Sequence, residues 1–291
     1  MLRPPIFEDK TIADKTIGIT SEIGQMPIQP GVQIKPISHA DFHALDYKVM
    51  GIVFSIHNDF GRFWNEKIYQ NELAYRCRKA GFESVATAVP VHVSYKDFDK
   101  DYRIDLLIDN VIYELKTAQS LAGEHVNQTI NYLMLTGLRH AKLVNMRTPS
   151  VEHRFVSTNI TPEKRYEFTI EDGQWRDLDD VSAWYKQLFK NLLAEWGVFL
   201  DINLFYDAIV HFHGGEEAVV RELDVKDGAR LLGKLKAHLL SRDIAFKVSS
   251  VVKDERQYES HFRKILRYTS LKAIHWINFS HEKVVFKTLL K

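Results

Sequence analysis

One cysteine, Cys77, stands in 291 residues. That scarcity excludes an internal disulfide framework and a zinc site built from cysteines, and it suits a reducing, cytoplasmic compartment. Long apolar runs are also missing. None approaches the roughly 20 residues that span a bilayer, so no membrane partner is expected. The opening Met1-Leu2-Arg3-Pro4-Pro5 holds no signal-peptide core, which again leads to the expectation of a cytoplasmic protein. There is no excess of one charge: 39 Lys and Arg against 38 Asp and Glu give a formal net charge of +1. Any affinity for nucleic acid must therefore come from a local patch. Repeats and low-complexity segments are absent. What is present, 45% hydrophobic and 26% charged residues, is ordinary for a globular chain and excludes a disordered, collagen-like or coiled-coil one. The length suggests about two domains.

Five of the eight prolines fall in residues 1–40 (Pro4, Pro5, Pro27, Pro30 and Pro36), which predicts an extended arm rather than helix. From Asp41 the period becomes helical. Leu45, Val49, Ile52, Val53 and Ile56 make one stripe up to Gly61, and Tyr69, Leu73 and Cys77 make another between Asn65 and Ala80. The period then drops to two. Val89, Val91, Val93 and Tyr95 predict a strand in which Pro90 marks an edge or a start. Tyr102, Ile104, Leu106 and Ile108 predict a second strand with one buried face, and 111–116 a third. A helix over 124–136, ended by Gly137, and a strand over 141–146 complete an ααβββαβ order for 41–147.

Residues 148–176 read as irregular, with a possible hairpin at Asp172-Gly173. Residues 178–196 read as a helix. Beyond 201 we expect strands at 208–212, 218–225, 245–252, 274–279 and 283–288, with helices at 228–240 and 254–268. The expected organisation is therefore an arm (1–40), a core (41–160), a connecting segment with a helix (161–200) and a C-terminal α+β domain (201–291).

The stretch Arg103 to Lys116 carries the chemistry. If Asp109-Asn110 is a two-residue turn, Ile108 pairs with Val111, Leu106 with Tyr113 and Asp105 with Glu114. Opposed residues share a face about 5 Å apart, and Lys116 lies on that side too. Two carboxylates facing each other on half-buried strands repel, and a divalent cation such as Mg²⁺ would relieve the conflict. A lysine beside it can stabilise developing phosphate charge. The same residues also read as the solvated face of a hairpin, and a one-residue slip would turn Glu114 and Lys116 away.

Ile104-Asp105 followed by Glu114-Leu115-Lys116 resembles the D…ExK signature of the PD-(D/E)XK nuclease superfamily. Gly61-Arg62-Phe63-Trp64-Asn65-Glu66-Lys67-Ile68-Tyr69 resembles the motif of its GxxExxY family, with Phe63 in the place of a motif glycine. Gln128, Asn131-Tyr132-Leu133, Thr136-Gly137 and Val144-Asn145 match the pattern that follows, so the resemblance covers about residues 42–150. It implies an α/β (α+β) fold with a restriction-endonuclease-like core, a mixed sheet flanked by helices. It also implies metal-dependent hydrolysis of phosphodiester bonds, with DNA the expected substrate and Mg²⁺ or Mn²⁺ the cofactor. By resemblance Asp105, Glu114 and Glu66 would bind metal, Lys116 would assist the attacking water, and Gln128 would support the site. The superfamily's usual proline before the aspartate is replaced by Ile104. A catalytically silent nucleic-acid-binding or protein-interaction adaptor on the same fold is the alternative.

Other features divide between functional and structural readings. Cys77 reads as a buried thiol. His211 and His213 on a strand would share a face and could hold a metal, though Gly214-Gly215 reads equally as a turn. Residues 226–272 hold twelve Lys and Arg against five Asp and Glu. Within them Lys234, Lys236, Arg256, Arg263, Lys264 and Arg267 fall on two predicted helices. They form a candidate nucleic-acid surface, or simply a solvated face. The C-terminal domain could also hold a protein partner or a second copy of the chain.

Overall fold

The computed structural model describes residues 26–291. The N-terminal arm is therefore seen only from Met26; its earlier residues, Pro4 and Pro5 among them, lie outside the described ones. In chain order the elements are β1 (Ile28–Pro30), α1 (His39–Phe60), α2 (Glu66–Lys79), β2 (Val85–Tyr95), β3 (Phe98–Ile108), β4 (Val111–Lys116), α3 (Gly123–Thr136), β5 (His140–Asn145) and β6 (Glu152–Ser157). They continue with β7 (Thr169–Gln174), α4 (Asp180–Trp196), α5 (Ile202–Phe212), α6 (Glu216–Val219), β8 (Val220–Asp227), β9 (Arg230–His238), β10 (Ile244–Ser249), α7 (Glu255–Tyr268), β11 (Ala273–Ser280) and β12 (Lys283–Leu290).

Local chemistry sets the boundaries near the carboxylates. Ser38 caps α1 by accepting from Asp41 N–H, and Asn65 caps α2 by accepting from Ile68 N–H. Asp109 and Asn110 both have positive φ, 43° and 66°, the conformation of a tight two-residue hairpin turn. That turn fixes the register Ile108↔Val111, Leu107↔Ile112 and Leu106↔Tyr113. Gly137, at φ 73°, ends α3 in the left-handed conformation, and its N–H bonds Leu133 C=O.

The first six strands form one mixed sheet in sequence order. All neighbours are antiparallel except β4 and β5, which run parallel across the α3 crossover. One face packs under α1 and α2, with Val49, Val53, Leu73, Cys77, Leu106 and Tyr113 in a single apolar cluster. On the other face a larger cluster joins Val91, Ile104 and Leu143 through α4 and α5 to Phe246, Ile277 and Phe286 of a second sheet. That sheet has the order β10-β11-β12-β7, and β8 with β9 forms a separate hairpin. The fold is thus the expected mixed α/β one: a six-stranded sheet flanked by helices, with further sheets in the C-terminal region.

Several expectations are corrected. Residues 208–212 are helix, not strand. Leu204, Phe205, Ala208 and Ile209 make a helical stripe that buries completely, and Asp201 caps the helix by accepting from Asn203 N–H. Residues 228–240 are largely strand, not helix. Gly228, at φ 61°, turns the chain after Asp227 so that β9 returns along β8. The segment 148–176 is less irregular than expected: β6 joins the main sheet, and Asp172-Gly173 lies inside β7 rather than at a turn. Pro90 lies within β2, not at its start. The neighbouring β1 ends at Pro30, and Gly31 N–H then bonds Pro90 C=O at 2.8 Å. A Cβ on Gly31 would sit 2.6 Å from the Pro90 ring, so the close approach requires glycine.

The second strand does not keep one buried face. Ile104 packs in the larger cluster, yet Leu106 and Ile108 pack under α1 and α2. The partner strand changes sides in step, with Val85 beneath the helices and Val89 on the opposite face. The register between the strands is unchanged, Thr87↔Leu106 and Val89↔Ile104. The roll is concentrated at Ala88, whose φ of 52° is rare for a residue with a side chain. Asp105 lies between those pairs, on the strand opposite.

Helix α1 is pinned to the sheet by a buried ion pair, Lys142 Nζ to Asp46 Oδ2 at 2.7 Å. Removing one partner leaves an uncompensated buried charge, whereas removing both does not. Asp46→Ala should cost about 3–5 kcal/mol in urea unfolding. The double variant Asp46→Leu/Lys142→Met should recover most of that loss; equal losses in both proteins would contradict a buried pair.

Candidate active site

Asp105 reaches the site because its strand rolls there. The ladder between β3 and β4 stops at Leu106↔Tyr113, so the expected Asp105–Glu114 pair does not form as a ladder pair. Instead the Asp105 carboxylate accepts from Leu115 N–H at 2.9 Å. Glu114 is 1% exposed and lies on the strand face of Ile112, while Tyr113 and Leu115 point under the helices. Lys116, two residues on, donates to Glu114 Oε1 at 2.7 Å. Glu114 Oε2 is buried and has no hydrogen-bond partner among the described residues.

A buried carboxylate with one bonded and one orphaned oxygen is costly as an anion. Burial first, and the Asp105 charge second, push the Glu114 carboxyl up to about 8, against the pull of Lys116. Asp105 is raised as well, by burial, although Leu115 N–H, Lys116 and the Gln70 amide hold it down. Glu66, the first residue of α2, is raised by burial and by Asp105 and lowered by Lys116. Burial alone would lower the Lys116 ammonium, but Glu114, Glu66 and Asp105 together raise it. The three carboxylates and the lysine expected from sequence therefore occupy one electrostatic neighbourhood. It lies where β4 ends beside the N-terminus of α2.

They do not form a ready-made three-acid cage: among the described residues no group of three or more His, Cys, Asp or Glu is placed to hold an ion. The donor set still fits a hard divalent cation. Mg²⁺ typically takes one or two carboxylates and keeps waters and substrate phosphate oxygens for the rest of its shell. Asp105 and Glu114 are near enough for the one charge to raise the other carboxyl, and Glu114 Oε2, without a hydrogen-bond partner among the described residues, could serve as an oxygen donor.

Gln128 stands one step away. It donates to Tyr132 Oη at 3.0 Å, and Tyr132 donates to Arg103 C=O at 2.8 Å. Burial first, then the Glu114 charge, raise the Tyr132 hydroxyl, so Gln128 meets the cluster through Tyr132. Sequence reading missed Gln70 and Lys67, which flank Asp105. Gln70 is four residues after Glu66 and so shares its helix face, a signal that was available. Asn145, matched above only as part of the Val144-Asn145 pair, has a structural part as well. It is fully buried and clips the loop after Lys116, accepting from Ala118 N–H and donating to Ala118 C=O.

The other candidates separate. His211 is helical and meets Asp97 at 3.2 Å, while His213 follows that helix as its cap, so they do not share a strand face. Cys77 is buried, with its thiol pushed up to about 12 by burial. Lys234 and Lys236 lie on β9, not on a helix, and pair with Glu222 at 3.3 Å and Glu216 at 3.6 Å. Arg256, Arg263, Lys264 and Arg267 do lie on helix, α7, where Arg263 pairs with Glu259 at 2.7 Å. Open clefts of about 530 and 590 Å³ lie against β7, β12 and α7, away from the carboxylates.

The six-stranded mixed sheet flanked by helices thus carries Asp105 within its third strand and Glu114 and Lys116 at the end of its fourth, beside Glu66 at the start of α2. Residues 43–156 match the family model of the PD-(D/E)XK nuclease superfamily. Nucleases of that superfamily generally use divalent metal ions and act on nucleic acid. Searches of curated proteins and of solved structures found no match to the chain. Among the described residues no helix is long and apolar enough to cross a membrane.

A carboxyl raised by folding binds its proton more tightly in the native state. Its contribution is fully present below the unfolded value near 4.5 and is lost as pH rises through about 8. Lys116 is raised too, but from 10.5, so its contribution is constant across that window. Without divalent ions, stability should fall between pH 5 and pH 8. Glu114→Gln should flatten the fall and raise the melting temperature at pH 8 by about 2 °C or more. Thermal unfolding in EDTA checks this, and parallel pH profiles for the two proteins would contradict it.

Proposed function

We propose that this chain is a metal-dependent nuclease of the GxxExxY type that hydrolyses phosphodiester bonds, with DNA as its substrate. The observation that carries the reading is the buried Glu114, bonded to Lys116 through one oxygen, with no hydrogen-bond partner for the other, within the segment that matches the nuclease superfamily. Asp105 and Glu114 would hold Mg²⁺ or Mn²⁺, with Glu66 adding a carboxylate at the rim. When bound, such an ion polarises the phosphate and lowers the pKa of its water.

The chain's own groups do the rest. Leu115 N–H orients Asp105, and Lys116 sets the position of Glu114 while carrying the positive charge that a pentavalent phosphate needs. Glu66, raised but half-exposed, suits acceptance of the proton from attacking water. Gln128 holds the Tyr132 hydroxyl beside the carboxylates. Residues 41–160 would form the catalytic unit, joined by 161–200 to a C-terminal region (201–291) that selects the target. The cationic face of α7 (Arg256, Arg263, Lys264 and Arg267), with Lys234 and Lys236, is its proposed nucleic-acid contact, and a protein partner or second copy could bind there instead.

A silent adaptor is the second reading. It is favoured by the contact of Lys116 with Glu114, which occupies one carboxylate oxygen, and by the lack of a three-acid group among the described residues.

The nuclease reading expects cleavage of DNA in Mg²⁺ or Mn²⁺ that stops in EDTA. Asp105→Ala and Lys116→Ala should each lower the rate at least about 100-fold. Activity surviving in both variants would place the chemistry elsewhere. No cleavage of single- or double-stranded substrates, with DNA binding intact in Glu114→Ala, would favour the adaptor.

A further inference from the structure

We propose that Phe63, with Arg62 and Arg147, forms a stacking platform for an unpaired base of single-stranded DNA bound at the carboxylate cluster, an inference that rests on the hydrolase reading above. Phe63 is 72% exposed, in the turn between α1 and α2. Two guanidinium groups lie over its ring, Arg62 at 5.1 Å and Arg147 at 5.3 Å from the centroid. One is its neighbour in sequence. The other comes from beyond β5 and is tied there, with Arg147 N–H bonding Asn145 Oδ1 at 3.1 Å. The preceding Met146 N–H bonds Lys116 C=O at 2.8 Å. The platform is therefore fastened on one side to the strand end that carries Lys116. On the other it leads in three residues to Glu66.

The turn is built to hold its shape. Tyr69 donates its hydroxyl to Gly61 C=O at 2.6 Å and accepts from Trp64 N–H at 3.3 Å. Trp64, itself 49% exposed, gives its indole N–H to Phe60 C=O. A phenyl ring, with only two side-chain torsions to fix on a turn already held in shape, loses little freedom on binding. Aromatic rings and guanidinium planes are the surfaces on which unpaired bases stack, and arginines displaced from the ring are in reach of the phosphates. Arg62, Lys67, Arg147 and Lys116 supply the complementary positive charge at this rim. A duplex keeps its bases stacked internally, so the occupant with a free base face is a single strand. The residue responsible, Phe63, stands where the GxxExxY motif has glycine, so the platform belongs to this chain rather than to the motif.

Fluorescence anisotropy of labelled oligothymidylate in EDTA, where no cleavage occurs, tests this. Phe63→Ala should weaken binding about 5- to 150-fold, the range expected for one lost stack. Phe63→Tyr should restore it, and an abasic oligomer of equal length should bind wild type and Phe63→Ala alike. The same loss with oligouridylate would also support the platform and extend it to RNA. Unchanged affinity in Phe63→Ala, or an equal loss on the abasic strand, would overturn the platform and leave the hydrolase reading standing. A wild-type protein that binds no single strand at low salt would also overturn the platform, while the hydrolase reading is decided separately by cleavage of double-stranded DNA.

Discussion

Burial of a carboxylate that has nothing to satisfy one of its oxygens is the constraint on which the rest of this structure depends. Glu114 is removed from water near the end of a central strand whose other buried residues are Val, Ile, Tyr and Leu. An apolar residue there would pack at less cost, and a glutamate at the surface would stay solvated. The conflict is held in place by its neighbours. Lys116 satisfies one oxygen, Asp105 raises the electrostatic strain, and the Leu115 amide prevents Asp105 from turning away. Groups whose acidity is perturbed in this way cluster at functional sites, where a proton or a cation relieves the strain.

The backbone contributes as much as the side chains. If β2 and β3 kept a regular alternation, Asp105 would lie on the face opposite Ile104 and Leu106, and those two would share a cluster. Rolling both strands at Ala88 changes which residues face the helices without changing the register. Left-handed backbone at an alanine costs of order 1 kcal/mol. That cost is borne at the position opposite the aspartate, next to the carboxylate strain. The parallel pairing of β4 and β5 then sets Lys116 opposite Asn145, and Asn145 closes the loop that follows.

Much of this was legible in the sequence. The Asp109-Asn110 turn and the alternation around it fix the hairpin register, and they separate Glu114 and Lys116 from Tyr113 and Leu115. The stripes of α1 and α2 are clean because each buries one face. Other parts were not legible, for physical reasons. The roll at Ala88 leaves no mark in a pattern that counts alternation, since alanine signals neither a turn nor a bulge. The segment 202–212 mixes β-branched and aromatic residues that suit a strand as well as a buried helix. In 228–240 the spacing of Leu231, Leu232 and Leu235 imitates a helix. Yet Leu231 and Leu232 are more than half exposed on a hairpin, which periodicity alone does not reveal.

On the proposed function, one divalent cation completes the buried pair Asp105 and Glu114. Calorimetric titration of Mn²⁺ into the protein tests it most directly. One ion per chain is expected for wild type, with binding lost in Asp105→Ala and in Glu114→Ala. Saturable binding of equal strength in all three proteins, or none at millimolar Mn²⁺ in wild type, would contradict it.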